Sequence, residues 1–154
     1  MLPISERIDA LIQNLGTIDG VARVTHQYDG RDRETRFCQY GPNGKLMLDG
    51  ISGFACMRYV YDELGHVTEQ RFAGVDGKPV LRRLLGVATI RSAFDSRGNC
   101  VEERYFGVDD APIARKDTRA ARQTFEYDDA GQITGVKYFG IDGRSVTGPP
   151  LKKN

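Results

Sequence analysis

The sequence predicts an all-β repeat protein, in which stacked β-hairpins form an elongated twisted sheet or solenoid behind a short N-terminal capping helix. Three observations carry this expectation. An aromatic residue followed by aspartate recurs at Tyr28-Asp29, Tyr61-Asp62, Phe94-Asp95 and Tyr127-Asp128, with 33 residues between successive copies. Ala22, Ala55, Ala88 and Ala121 keep the same interval, as do Gly41, Gly74, Gly107 and Gly140. The residues between these marks alternate in short runs rich in β-branched and aromatic side chains, the pattern of strands and hairpins. Each unit approximates GVAxhRxxYDxxGxhxExRYFGxDGxPV, where h is apolar. Ankyrin repeats share the length but need two helices per unit and a TPLHxA turn, and neither is written here. A closed barrel or small propeller is the alternative architecture, because closure also removes edge strands.

The elements follow in chain order. Residues 1–19 lie outside the repeat, and Ile8, Leu11, Ile12 and Leu15 fall at helical spacing between Ser5 as N-cap and Gly16 as terminator. An amphipathic helix there would cap the exposed face of the first layer of an array. Residues 20–154 then hold four units, the last truncated. In "VARVTHQY", "FACMRYVY", "VATIRSAF" and "AARQTFEY", alternate positions starting from the alanine are mostly apolar and the positions between them mostly polar. That is a strand with one buried and one wet face. The alanine in every copy marks a close approach between layers.

The turn after each first strand reads DxxG from Asp62 to Gly65, Asp95 to Gly98 and Asp128 to Gly131. Aspartate can accept from the backbone just ahead of it, and glycine supplies the positive φ of a bulged hairpin. Second strands, "HVTEQRFAG", "NCVEERYFG" and "QITGVKYFG", end in a second turn of the Asn-Gly or Asp-Gly kind. The first unit departs from this pattern with Asp32 in a glycine position. The third departs twice, with Asp110 where its neighbours have Gly77 and Gly143, and Arg119 where they have Gly20, Gly53 and Gly86. Aspartate tolerates positive φ at modest cost, so the turn at Asp110 is expected to survive.

The stretches "YDELGHVTEQRFAGVDG" and "YDDAGQITGVKYFGIDG" resemble the YD repeats of bacterial RHS-type surface and toxin-delivery proteins, in which YDxxG opens a hairpin. They are also similar to tandem YD- and DG-containing repeats of many bacterial proteins. The resemblance covers about residues 20–147. It implies the hairpin architecture and a bacterial origin, and it brings no active-site residue.

Composition bounds the function. With 22 basic and 21 acidic residues the net charge is +1, so no global field favours nucleic acid or an anionic membrane. No run approaches a membrane span. Without a signal peptide, a complete chain would be cytoplasmic. Cys38, Cys56 and Cys100 are odd in number, lack a CxxC pair and occupy different repeat positions. They are expected to be small apolar fillers in a reducing compartment rather than a disulfide framework or zinc site.

Nearly every chemically suggestive residue belongs to a ladder. Glu69 and Glu102 repeat two positions before Arg71 and Arg104, which fits same-face ion pairs better than an acid and base. Asp62, Asp95 and Asp128, with Asp76, Asp109 and Asp142, are explained as turn residues without calcium. His26 and His66 are far apart in the repeat and suggest neither metal nor nucleophilic chemistry. No cofactor is expected. Of the aromatic pairs that include Tyr105-Phe106 and Tyr138-Phe139, alternation must send one ladder away from the core. The expected function is a non-enzymatic scaffold for protein–protein interaction. An accessory, immunity-like or glycan-binding domain of a bacterial surface or toxin system is the alternative. The least generic stretch nominates Asp110, Arg115, Lys116, Arg119 and Arg122, with Tyr105 and Tyr138, as contact residues.

Overall fold

The computed structural model describes residues 20–151 together with the strand Glu6–Arg7. Ten strands form one sheet in strict sequence order, each antiparallel to the next. They are β1 (Glu6–Arg7), β2 (Arg23–Tyr28), β3 (Glu34–Tyr40), β4 (Cys56–Tyr61), β5 (Val67–Ala73), β6 (Thr89–Phe94), β7 (Cys100–Phe106), β8 (Arg122–Tyr127), β9 (Ile133–Phe139) and β10 (Ser145–Val146). Each 33-residue unit contributes one long hairpin, and β1 does not pair with β10. The sheet is therefore open, which excludes the barrel and propeller. The expected capping helix lies outside the described residues apart from Glu6–Arg7, which pair with His26 and Gln27 of β2.

The turn chemistry repeats as the sequence requires. Asp29, Asp62, Asp95 and Asp128 each accept, through one carboxylate oxygen, the amides two and four residues ahead. The side-chain bond from Arg33, helped by those amides, holds the Asp29 carboxyl at about 2, below its ordinary value. Each hairpin shifts register just before the turn, as at Gln27/Tyr28 and Val60/Tyr61. At the second turn Gly41, Gly74, Gly107 and Gly140 donate to the carbonyl four residues on.

The chain then folds back on its own hairpin. Met47, Val80 and Ile113 donate their amides to Gln39, Phe72 and Tyr105. The same end of each second strand also meets the next unit, since Phe72 donates to Ala88 and Tyr105 to Ala121. The fold-back segment and the next unit therefore share one strand edge. This is why six residue pairs hold β4 to β5 and only three hold β5 to β6. The segments themselves stack: Arg83 donates to Ser52, and Lys116 to Leu85.

Between the sheet and these segments lies the core of Phe54, Phe72, Val87, Ile90 and Tyr105, with Phe37, Met57, Val80, Leu85 and Ile113 packed against it. Complete burial of a side chain such as Phe72 stabilises by roughly 1.5–3 kcal/mol. Ala55 and Ala88 are fully or almost fully buried, as the close approach requires.

One expectation is overturned. Cys38 and Cys56 form a disulfide, leaving Cys100 as the free cysteine. The two half-cystines are direct register partners on β3 and β4. Comparison of equivalent positions cannot reveal this, because the strands that meet belong to different units and bring together non-equivalent positions. At the next two unit boundaries the same pair is Arg71 with Thr89 and Arg104 with Arg122.

Candidate functional site: an arginine-bearing sheet face

Strand alternation separates the faces. Phe37, Met57, Phe72, Ile90 and Tyr105 point into the core, so their neighbours in sequence point the other way. Along this opposite face the register aligns side chains from successive strands. One row runs Gln27, Arg36, Arg58, Arg71, Thr89 and Phe106 from β2 to β7. A second, displaced by one repeat, runs Val60, Glu69, Arg91, Arg104, Arg122 and Phe139 from β4 to β9. A third begins Ala93, Glu102, Thr124 and Lys137. A chain with net charge +1 thus aligns six arginines and Lys137 on one surface of its sheet.

Aromatic rings and carboxylates organise most of this charge. Arg91 lies 4.2 Å from the Phe106 ring centroid and Arg122 lies 3.9 Å from that of Phe139. Glu69 accepts from Arg71 and, at 2.8 Å, from Arg91. Glu102 accepts from Arg104 at 2.6 Å and Arg122 at 3.0 Å. The bond from Arg71, against partial desolvation, lowers the Glu69 pKa; at Glu102 desolvation is the largest single influence and raises it, but the bonds from Arg104 and Arg122 together outweigh it and the pKa is lowered. Both glutamates are ionised ion-pair partners, an arrangement unlike a general acid set beside a base.

The first row differs. Where the other rows carry Glu69 and Glu102 it carries Arg36. Arg36 and Arg58 are direct cross-strand partners, and so are Arg58 and Arg71. Like charges so placed are destabilising. Among the described residues Arg58 has no ion-pair partner and Arg36 contacts only the Cys56 sulfur, at 3.6 Å. The Arg36 Nε is buried without a hydrogen-bond partner. An open depression above these residues is lined by Arg36, Arg58, Arg71, Pro79, Thr89 and Asp110.

The nominated residues separate into two groups. Asp110 holds positive φ at 60° and grips Arg91 through both oxygens at 2.8 and 2.9 Å, on the basic face. Arg122 is on that face too. Arg115 lies in the opposite layer, bonded to Asp117 and to the Tyr105 hydroxyl. Tyr105 is fully buried and also donates to Glu103 at 2.6 Å; desolvation raises its pKa strongly. Lys116 packs against Gly86, Arg119 is exposed at a φ of 58°, and Tyr138 donates to Pro149. Arg36, Arg58 and Arg91 were not singled out by sequence, and Arg71 only as the ion-pair partner of Glu69. Their signal was the basic residue recurring on the wet face of each hairpin, legible only once the register across units is known.

Among the described residues no group of three or more histidine, cysteine, aspartate or glutamate side chains could hold a metal ion. Among the same residues no helix is long and apolar enough to cross a membrane. Compared with known proteins, the chain matches no family model and no curated protein.

Proposed function

We propose that this protein is a non-enzymatic repeat scaffold that binds a partner protein on the open, arginine-bearing face of its sheet. The observation that carries the reading is the asymmetry of the two faces: fold-back segments cover one, and aligned guanidinium rows stand on the other. Arginine suits such a surface because it presents several donors in a planar fork and stacks on rings. Buried anchors of this kind dominate protein interfaces. Commitment of Glu69 and Glu102 to arginines favours a binding surface over a catalytic one. The YD-type resemblance adds a setting, an accessory component of a bacterial surface or toxin system.

Site-specific photo-crosslinking in the cells that make the protein tests this. A benzophenone side chain at Val60 or Ala93, both exposed on the basic face, is expected to give discrete protein adducts. One at Leu84, exposed in the opposite layer, is expected to give few. Adducts from Leu84 alone would move the interface to the other layer and refute the proposal.

A further inference from the structure

We infer that Arg36 and Arg58, with Arg71 beside them, form a carboxylate-binding site that docks an acidic segment of the partner protein; this rests on the proposed role of the basic face. The repeat itself supplies the template. In the second unit Glu69 reaches Arg91 of the following unit, its cross-strand partner, at 2.8 Å. In the third unit Glu102 faces Thr124, and the following unit supplies the diagonal Arg122 instead, at 3.0 Å. At the first seam the equivalent receptor, Arg58 of the second unit, is present, but the first unit has Arg36 where the glutamate would be. A receptor whose internal carboxylate has become a second guanidinium is left with an excess of donors. Neither Arg36 nor Arg58 has a carboxylate partner among the described residues, and the Arg36 Nε is buried without a hydrogen-bond partner. Leaving such a group unsatisfied, and two like charges paired across the strands, costs free energy in the unliganded protein, and a carboxylate bound to the Arg36 and Arg58 guanidinium ends offsets the repulsion.

Nearby carboxylates do not fill the site. Glu69 is shared between Arg71 and Arg91, and Asp110 is taken bidentately by Arg91. The depression is open and bordered by Gly77, Pro79 and Val108 of the second turns, so an acidic side chain of a docked segment can reach the arginines. The internal ligands at the equivalent positions are carboxylates, which favours an acidic peptide over a phosphorylated one. Guanidinium forks bind both chemistries, so the test must separate them.

The decisive variant is Arg36→Glu, which writes the second and third units' glutamate into the first. Binding of a fluorescein-labelled octaglutamate peptide to the full chain is read by anisotropy, with inorganic phosphate as competitor. The wild type is expected to bind, more weakly as salt rises. Arg36→Glu is expected to bind at least about tenfold more weakly while melting at the same or a higher temperature, because the new carboxylate pairs with Arg58. Arg58→Gln, which adds no negative charge, is expected to weaken binding as well. Equal binding by wild type and Arg36→Glu overturns the assignment. So does absence of binding by the wild type, or displacement of the peptide by phosphate at matched charge. Crosslinks from Val60 that survive Arg36→Glu at full yield would remove this site and leave the basic face standing as the interface.

Discussion

Among the described residues three other than glycine hold positive φ, Asp32, Asp110 and Arg119, at 58°, 60° and 58°. Each stands where other units place glycine, so the backbone conformation belongs to the repeat and the side chain is the local exception. At Asp110 the exception has a return, the paired bonds to Arg91. Arg119 is exposed, and no side-chain partner of it is seen among the described residues. The left-handed conformation costs an L-residue about 1–2 kcal/mol, partly offset on substitution by the greater unfolded-state entropy of glycine. Arg119→Gly is therefore expected to stabilise the protein by about 0.5–1 kcal/mol, or roughly 1–4 °C in melting temperature. Asp110→Gly should gain the same relief but lose the Arg91 contact, and is expected to be close to neutral. Paired chemical denaturation curves decide this; an Arg119→Gly variant less stable than wild type would show that the side chain earns its strained backbone. This level was legible in the sequence at Asp110, because the missing glycine fell at a known turn position. The partner Arg91 was not, since it lies one strand away across a unit boundary.

The elements were readable for a related reason and unreadable for another. Strands, DxxG turns and the buried parity of Met57, Phe72 and Ile90 depend on local alternation and turn chemistry, which a single unit displays. The seams between units depend on where the fold-back segment releases the chain, and local pattern does not encode that. Cys38 and Cys56 are the clearest case: they sit at different repeat positions, 18 residues apart, and are joined by the register of β3 against β4. Their bond fastens the first unit to the second at a seam of only three residue pairs. Closing a loop of this length restricts the unfolded chain by about 3 kcal/mol. Reduction with dithiothreitol, or the double change Cys38→Ser and Cys56→Ser, is expected to cost about that much and to raise amide exchange first in β2 and β3. Stability unchanged on reduction would mean that the seam is held by the ladder and the core alone. Cys100 serves as an internal control: it is free, and burial raises its thiol pKa.

For the whole molecule, a sheet whose strands follow one another in sequence makes each unit touch only its neighbours, so stability should divide into unit and seam contributions. Deletion of residues 86–118 removes one full period and joins Leu85 to Arg119. By the repeat, the new seam sets Arg71 opposite Arg122 and Glu69 opposite Thr124, the pairs that Arg104 and Glu102 make now. Glu69 can then take Arg122 as Glu102 does at present. Phe72 would stand in the position of Tyr105 beside the last unit, keeping an aromatic ring in the core. What is lost is Val87, Ile90 and Tyr105, three of the five residues of the central cluster, along with one seam. The shortened chain is therefore expected to fold with far-ultraviolet dichroism per residue near that of the parent, but to unfold at lower denaturant with a smaller m-value, because less surface is exposed. Arg36, Arg58 and Arg71 all lie in the first two units, while Thr89, Val108 and Asp110 at the edge of the depression are replaced by their repeat equivalents Arg122, Ile141 and Gly143. Octaglutamate should still bind, and no more weakly, because a carboxylate is lost from the rim and a guanidinium gained. Loss of cooperative unfolding in the deletion variant would show that the core around Tyr105 is a single indivisible nucleus rather than one period of an array. The repeat would then describe how the chain is written, and the central cluster how it is held.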